Sequence, residues 1–328
     1  MNKNQCTMKD VAQVIGVSTY TVSRALNGKK DISQQLRERI LRVAHEMGYV
    51  PNVAARGLQS GKTKTIAIVL DDLQNMYYNV LLSKFTRKLN SMGYHITIYY
   101  EWDSISTLNE NLMQRVLSSN PDGIISFLRV DKGALELNKV WKRPLAVIGA
   151  EEDDPQTDCV FFDDVAGGKA VTEYLLDCGC RKIGFINASS KLLPGVRRGE
   201  GYRAALQERG VPVDEKLVIH LEDTALTVED AAFYLCATCG ADGIFCYNDM
   251  SALAVLRALM GSPYERVTVA GWDNTGREIK LPCRLTTVGT DLDHMVDEVA
   301  SLIAGRIEGN ELPVMKKKMP VYLVKGDS

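Results

Sequence analysis

The chain has 328 residues, 45% hydrophobic and 24% charged, the balance of a soluble globular protein of two or three domains rather than of a disordered one. Its longest apolar runs, such as Ile66–Leu70, fall far short of the roughly 20 residues of a membrane span. The polar start, Met1–Asp10, shows no secretory signal, so a cytoplasmic protein without a membrane partner is expected. The net charge is −2 but unevenly placed. Residues 1–61 hold nine Lys/Arg against four Asp/Glu, and the remainder 30 against 37. A basic head on an acidic body suggests that only the head meets an anion such as nucleic acid.

In chain order, Thr7 with Asp10 and then Val11, Ala12, Val14 and Ile15 starts a helix that Gly16 ends. Ser18 caps a second helix over Thr19–Leu26, which Asn27-Gly28 stops. Ser33 caps a third over Gln34–Met47, closed by Gly48. Pro51-Asn52 breaks the chain, a short piece follows at Val53–Gln59, and Ser60–Thr63 reads as a linker.

From Lys64 onward short β-branched runs alternate with amphipathic helices. Strands are expected at Thr65–Leu70, His95–Tyr100, Gly123–Phe127, Leu145–Gly149, Cys159–Phe162, Ile183–Ile186, Leu217–His220, Gly243–Cys246, Val267–Ala270 and Leu285–Val288. Helices are expected at Tyr78–Met92, Asn109–Ser119, Gly167–Cys178, Gly199–Arg209, Val228–Cys239, Ser251–Met260 and Leu292–Gly305. This alternation predicts an α/β body of two doubly wound parallel sheets, with ligands at the carboxyl ends of the strands. Those ends carry Asp71-Asp72, Asp163-Asp164, Asn187, Asn248-Asp249 and Trp272-Asp273.

Helix, tight turn and second helix make a helix-turn-helix in an all-α head. On the second helix Val22, Ala25 and Leu26 face the small core, whereas Thr19, Tyr20, Ser23, Arg24 and Asn27 fall on exposed faces. Residues at such a helix start reach base edges in the major groove, while hydroxyls hold phosphates. Arg24 can offer two donors to one guanine, a contact worth about 1–3 kcal/mol of discrimination.

Catalytic and cofactor motifs are missing. Gly61-Lys62-Thr63 suggests a phosphate loop, but G-x-x-x-x-G-K-[ST] needs glycine at 56, where the residue is Arg56. There is no G-x-S-x-G, H-E-x-x-H or G-x-G-x-x-G after a strand. The four histidines show no metal spacing. The pairs Cys178/Cys180 and Cys236/Cys239 lack a nearby His and are expected as reduced, partly buried thiols. No enzyme, no cofactor and no metal site is expected.

Met8-Lys9-Asp10-Val11-Ala12, Gly16-Val17-Ser18 and Thr21–Gly28 resemble the start of a lactose-repressor-like (LacI/GalR) regulator. The match continues through Gly48–Asn52 and Ala54-Ala55-Arg56-Gly57-Leu58. The body is similar to the family's periplasmic-binding-protein-like core. The resemblance implies a transcriptional regulator, a repressor in the first instance, in which Ser18, Thr19, Tyr20, Thr21, Ser23, Arg24 and Asn27 meet DNA. Val53–Gln59 matches a hinge helix that enters the minor groove, with Ala55 and Leu58 against the bases and Leu58 as an apolar wedge. A helix so short does not persist alone, so it can act as an order–disorder switch.

Four segments of the body match effector-binding segments of that family. Asp72–Tyr78 resembles the first-strand loop, with Tyr77 and Tyr78 as its aromatic pair and Met76 in place of a proline. Arg198-Gly199-Glu200-Gly201-Tyr202 matches the segment whose arginine grips the ligand. Tyr247-Asn248-Asp249 and Gly271-Trp272-Asp273-Asn274 match two strand ends. The implied effector site is Asp72, Tyr77, Tyr78, Asp163, Arg198, Asn248, Trp272 and Asp273. Glu101 and Trp102 end the second strand, where either a place facing the cleft or a core or surface role is open to them. The site's ligand is a small polar metabolite, most often a sugar or nucleobase in the family.

The expected organisation is a head over 1–50, a hinge and linker over 51–63, and a body over 64–328. The body divides into an N-subdomain of about 64–163 and 291–320 and a C-subdomain of about 164–290 and 321–328. A homodimer on near-palindromic double-stranded operator DNA follows from paired heads. No heptad tail follows the strand-like Pro320–Lys325, so a dimer is expected rather than a tetramer. The competing reading is a small-molecule-binding protein of the periplasmic type with no DNA role.

Overall fold

The structure, a computed structural model, describes residues 6–26, 28–29, 31–50, 62–100 and 107–328. The expected hinge piece with Ala55 and Leu58, as well as Asn27, Glu101 and Trp102, lies outside the described residues. The chain separates into two compact units, Met1–Thr63 and Lys64–Ser328.

In the first unit α1 (Met8–Ile15), α2 (Thr19–Leu26) and α3 (Gln34–Glu46) close around a small core. Its buried members are Val11, Ala12, Ile15, Val22, Ala25, Ile40 and Ala44. These positions recur at helical spacing, so each helix buries one stripe. A reciprocal capping box opens α1. The Asp10 carboxylate accepts the Thr7 N–H at 2.8 Å, and Thr7 Oγ1 accepts the Asp10 N–H at 3.4 Å. Gly16 ends α1 in the left-handed region, φ 80°, where a side chain would be strained. The chain can therefore turn at once into α2.

The second unit holds two parallel sheets. The larger runs in the order β13-β7-β6-β4-β1-β2, comprising β1 (Thr65–Leu70), β2 (His95–Tyr100), β4 (Gly123–Ser126), β6 (Leu145–Ile148), β7 (Asp158–Phe162) and β13 (Lys316–Met319). The smaller runs β11-β10-β8-β9, with β8 (Ile183–Asn187), β9 (Val218–His220), β10 (Gly243–Cys246) and β11 (Thr268–Ala270). Strands β12 (Thr287–Gly289) and β14 (Tyr322–Val324) pair antiparallel beside it. Two minor strands, β3 (Thr107–Leu108) and β5 (Arg129–Val130), pair with each other.

Both faces of each large sheet are covered, which is why its central strands are continuous apolar runs. On the larger sheet α4 (Met76–Ser91) and α11 (Leu292–Ile307) share one core, while α5 (Glu110–Ser118) and α6 (Lys132–Trp141) share the other. On the smaller, α7 (Asp164–Asp177) and α8 (Leu193–Glu208) cover one face, and α9 (Val228–Phe233) and α10 (Asp249–Leu259) the other. Among the described residues no helix is long and apolar enough to cross a membrane.

Helices α4 and α10 start two residues earlier than expected, and the two helices α7 and α8 start earlier still. The pattern places their starts at Gly167 and Gly199, whereas α7 begins at Asp164 and α8 at Leu193. The glycines there are packing residues rather than breakers. A Cβ on Gly168 would lie 2.2 Å from the Arg198 carbonyl oxygen, and one on Gly201 would lie 2.1 Å from that of Val165. The two helices touch backbone to backbone at these points, and this contact sets the depth of Arg198. The expected helix Val228–Cys239 divides into α9 and a π-helical turn, Tyr234–Cys239.

The chain passes between the two lobes near Asp163, Thr290 and Pro320. The passages are tied together. The Asp163 N–H donates to the Met319 carbonyl at 3.0 Å, and the Thr290 hydroxyl to that of Pro320 at 2.9 Å. The strand ends of the two sheets thus face a common cleft.

Candidate functional site

The head presents α2. Val22 and Ala25 are buried, so the opposite face carries Thr19 and Tyr20 outward, with the Tyr20 ring 67% exposed. Thr21, Ser23 and Arg24 are half-buried. Ser18 caps the helix, its Oγ accepting the Thr21 N–H at 3.0 Å and lying 2.9 Å from Thr21 Oγ1. Arg24 is not an idle cation. Its Nε donates to Asp31 Oδ2 at 2.7 Å and its Nη2 lies 2.6 Å from Oδ1. Its Nη1 donates to the Tyr20 hydroxyl at 3.0 Å, with Cζ 5.3 Å from the centre of that ring. The hydrogen bonds from Arg24 hold the Asp31 carboxyl below the usual carboxylate range. Asp31 does not stand out in the sequence, because it meets Arg24 across the α2–α3 turn.

The cleft of the body has a volume of about 460 Å³. Arg198 is the centre of its floor. Its Nε donates to Asp164 Oδ1 at 2.8 Å and its Nη1 to the Tyr247 carbonyl oxygen at 2.5 Å. Its Cζ stands 4.0 Å from the centre of the Trp272 ring, a cation–π contact in a site sheltered from water. The side chains of Arg198 and Asp164 are 11% and 2% exposed. Burial pushes the Asp164 carboxyl up, and the Arg198 guanidinium opposes that push. Trp272 is 4% exposed and packs against Gly167 of α7, where a Cβ would come within 2.3 Å of the ring.

The loop after β11 carries Asp273 with φ 117° and Asn274 with φ 52°. Two consecutive non-glycine residues in the left-handed region persist only where their surroundings hold them. The Asp273 N–H donates to the Val288 carbonyl at 2.9 Å. Asp249 holds the next turn. Its Oδ2 accepts the Thr275 N–H at 2.8 Å and the Thr275 hydroxyl at 2.9 Å, while its Oδ1 accepts the Thr287 hydroxyl at 2.5 Å. Burial nevertheless pushes the Asp249 carboxyl up to about 6.

Three polar atoms in the cleft wall are left buried without a hydrogen-bond partner among the described residues. They are Asp273 Oδ2, the Tyr77 hydroxyl and Asn187 Oδ1. Burial and then the Asp249 charge push the Asp273 carboxyl well up. Burial likewise pushes the Tyr77 hydroxyl up. Leaving such groups unpaired costs about 1–3 kcal/mol each, so a bound molecule that pairs with them gains what the empty site forgoes.

Of the expected effector residues, Tyr77, Tyr78, Arg198, Asn248, Trp272 and Asp273 line this cleft. Asn248 also caps α10, its Oδ1 accepting the Ser251 N–H at 2.8 Å. Two expectations need correction. Asp72 is engaged in its own turn, accepting the Gln74 N–H at 2.7 Å. Asp163 caps α7 through the Ala166 N–H at 3.3 Å and lies 3.5 Å from Lys318. Neither lines the cleft. Asp71, the residue before Asp72, lines it instead and hydrogen bonds to Tyr78. Asn187, read above as a polar strand end, and Tyr247, within the matched segment Tyr247-Asn248-Asp249, line the cleft as well, although neither is in the implied effector set.

A three-helix head with a capped second helix, and two parallel sheets closing on a polar cleft, define a DNA-binding module joined to a two-lobed ligand-binding body. Residues 7–52 match the family of bacterial regulatory proteins, lacI family, and residues 172–328 match a periplasmic binding protein-like domain. The HTH-type transcriptional regulator DegA of Bacillus subtilis (strain 168) is 30% identical, over 97% of this chain and 96% of DegA. The solved transcriptional regulator CelR–cellobiose complex is 26% identical with a TM-score of 0.69, covering 99% of this chain and 100% of that one. The lac repressor dimer bound to operator and the anti-inducer ONPF shares the fold, with a TM-score of 0.80 at 19% identity and 98% coverage of both chains. The chain belongs to the LacI family of transcriptional regulators, a family of DNA-binding regulators rather than of enzymes.

Proposed function

We propose that the chain binds a near-palindromic operator as a homodimer in the cytoplasm and represses transcription under the control of a small polar effector, a sugar or a related metabolite. Residues 1–50 read the DNA through Ser18, Thr19, Tyr20, Thr21, Ser23, Arg24 and Asn27. Residues 51–63 form the hinge, with Ala55 and Leu58 at the minor groove. Residues 64–328 hold the effector, with lobes of about 64–163 plus 291–320 and 164–290 plus 321–328. Effector binding changes the relation of the lobes and with it the spacing of the two hinges, and a coupling of about 1–3 kcal/mol is enough to alter operator affinity by one to two orders of magnitude.

One observation carries the effector reading. The cleft presents an unpaired buried carboxyl oxygen, an unpaired buried amide oxygen and an unpaired buried phenol beside a tryptophan held by arginine. An acceptor and a donor–acceptor are what alternating hydroxyls of a polyol satisfy. CelR, with cellobiose bound, supports the same class.

A thermal-shift screen over sugars, sugar phosphates and nucleobases tests it. A ligand at 100 times its Kd stabilises the folded state by about 2.7 kcal/mol. At least one sugar is expected to raise the melting midpoint of the wild type and not that of Asp273→Ala, which keeps wild-type operator binding without ligand. A ligand that shifts both proteins equally removes Asp273 from the site. A screen in which no sugar acts refutes the effector class.

A further inference from the structure

We propose that Asp31 is a positioning residue for DNA reading. It grips one edge of the Arg24 guanidinium, so that the other edge is offered to a guanine and Arg24 is not available as a general phosphate clamp. The inference rests on the reading of α2 as the helix that meets base edges.

The guanidinium has one N–H on Nε and two on each Nη. Asp31 takes the Nε–Nη2 edge with both carboxylate oxygens, at 2.7 and 2.6 Å. Tyr20 takes one N–H of Nη1 at 3.0 Å. Among the described residues one N–H on Nη1 and one on Nη2 are left over, and together they can make the fork that matches O6 and N7 of guanine in the major groove. The Tyr20 ring, 5.3 Å from Cζ, backs the same group.

Asp31 is itself held in place by the head. Arg37 of α3 donates through Nη2 to the Lys29 carbonyl oxygen, which pins the turn between α2 and α3. Ile32 packs against the core, and Ser33 caps α3 by accepting the Leu36 N–H at 3.4 Å. The carboxylate, followed directly by Ile32 and Ser33, which the head holds, imposes one orientation on a side chain that otherwise has many rotamers. The pair is also neutral as a unit. Without the carboxylate Arg24 becomes a loose cation that any phosphate satisfies, and phosphate contacts carry no sequence information.

Two measurements on the full chain test this. In the first, wild type, Arg24→Ala and Asp31→Asn each select duplexes from a randomised library. Wild type is expected to enrich guanine at one symmetry-related pair of positions. Arg24→Ala loses that preference. Asp31→Asn weakens it at least about threefold while the other positions keep theirs, a small part of the discrimination that a bidentate contact can supply. In the second, binding to a random-sequence duplex is followed against salt. Asp31→Asn should bind several-fold more tightly at low salt, with a log–log slope steeper by about 0.9, one extra phosphate contact.

If Arg24→Ala keeps every preference, the base-reading assignment fails. If Arg24→Ala loses the guanine but Asp31→Asn keeps it and its salt slope is unchanged, the reading stands and the positioning role is overturned. Loss at every position in Asp31→Asn makes Asp31 a folding residue and also overturns the proposal.

Discussion

The head and the body each contain an arginine–aspartate pair, bidentate in the head and made through Nε alone in the body, in opposite surroundings. Arg24 and Asp31 meet at 2.6 Å with side chains 30% and 53% exposed, whereas Arg198 and Asp164 meet at 2.8 Å with 11% and 2%. In water such a pair contributes little net energy, because solvent screens it and both side chains lose rotamers. Away from water each partner depends on the other, since an unpaired buried charge is far more costly than the pair. The exposed pair can therefore orient a group that must meet a ligand, and the buried pair builds the floor on which a ligand rests.

The sharpest way to break this contrast is Arg198→Met. It strands Asp164, so a loss of about 3–5 kcal/mol is expected from urea unfolding of the full chain. Adding Asp164→Leu should recover most of that loss. A single variant as stable as wild type would show that the floor is wetter than its burial implies.

Asp249 comes next. Its folded carboxyl sits near 6, above the unfolded value of about 3.9. A raised acid favours folding fully below the unfolded value, and that advantage fades as pH rises through 6. The body should therefore lose about 2–3 kcal/mol between pH 4 and 7.5 on this account. Burial moves Asp164 and Asp273 in the same direction. Asp249→Asn keeps the shape and flattens part of the slope, as urea midpoints across that range would report. An unchanged slope assigns the pH dependence to the other two.

The smallest effect is expected at the exposed pair. Asp31→Asn should leave the melting midpoint of the head within error while changing the selected DNA sequence. A large drop in midpoint would place Asp31 with Asp164 rather than opposite it.

Much of the architecture was legible in the sequence because the central strands of covered sheets are unbroken apolar runs, as Thr65–Leu70 and Gly243–Cys246 are. What failed to show follows from long-range contacts. Lys316-Lys317-Lys318-Met319 does not read as a strand, yet it forms the edge of the larger sheet, where lysines are tolerated. Gly167-Gly168 reads as a break because nothing local shows that another helix touches there. In the cleft, Trp272 and Asp273 follow from resemblance at a strand end, and Arg198 from resemblance of a segment that lies within α8. Asp71 stands among the strand-end carboxylates, yet the resemblance picks Asp72, one residue on, because the position at which a strand stops facing the cleft is set by the turn after it. The Arg24–Asp31 contact was hidden because seven residues and a turn separate the partners.

The three passages between the lobes bear on the order in which the protein is made. The larger sheet needs Lys316–Met319 for its edge, and the smaller lobe needs Tyr322–Val324 beside β12. Neither lobe has all of its strands until its own segment of these two has been made, whereas the head has all of its core once Tyr49 has left the ribosome. A nascent or prematurely stopped chain thus carries a folded head with no functioning sensor behind it, and quality control of such fragments bears directly on how faithfully the gene is regulated.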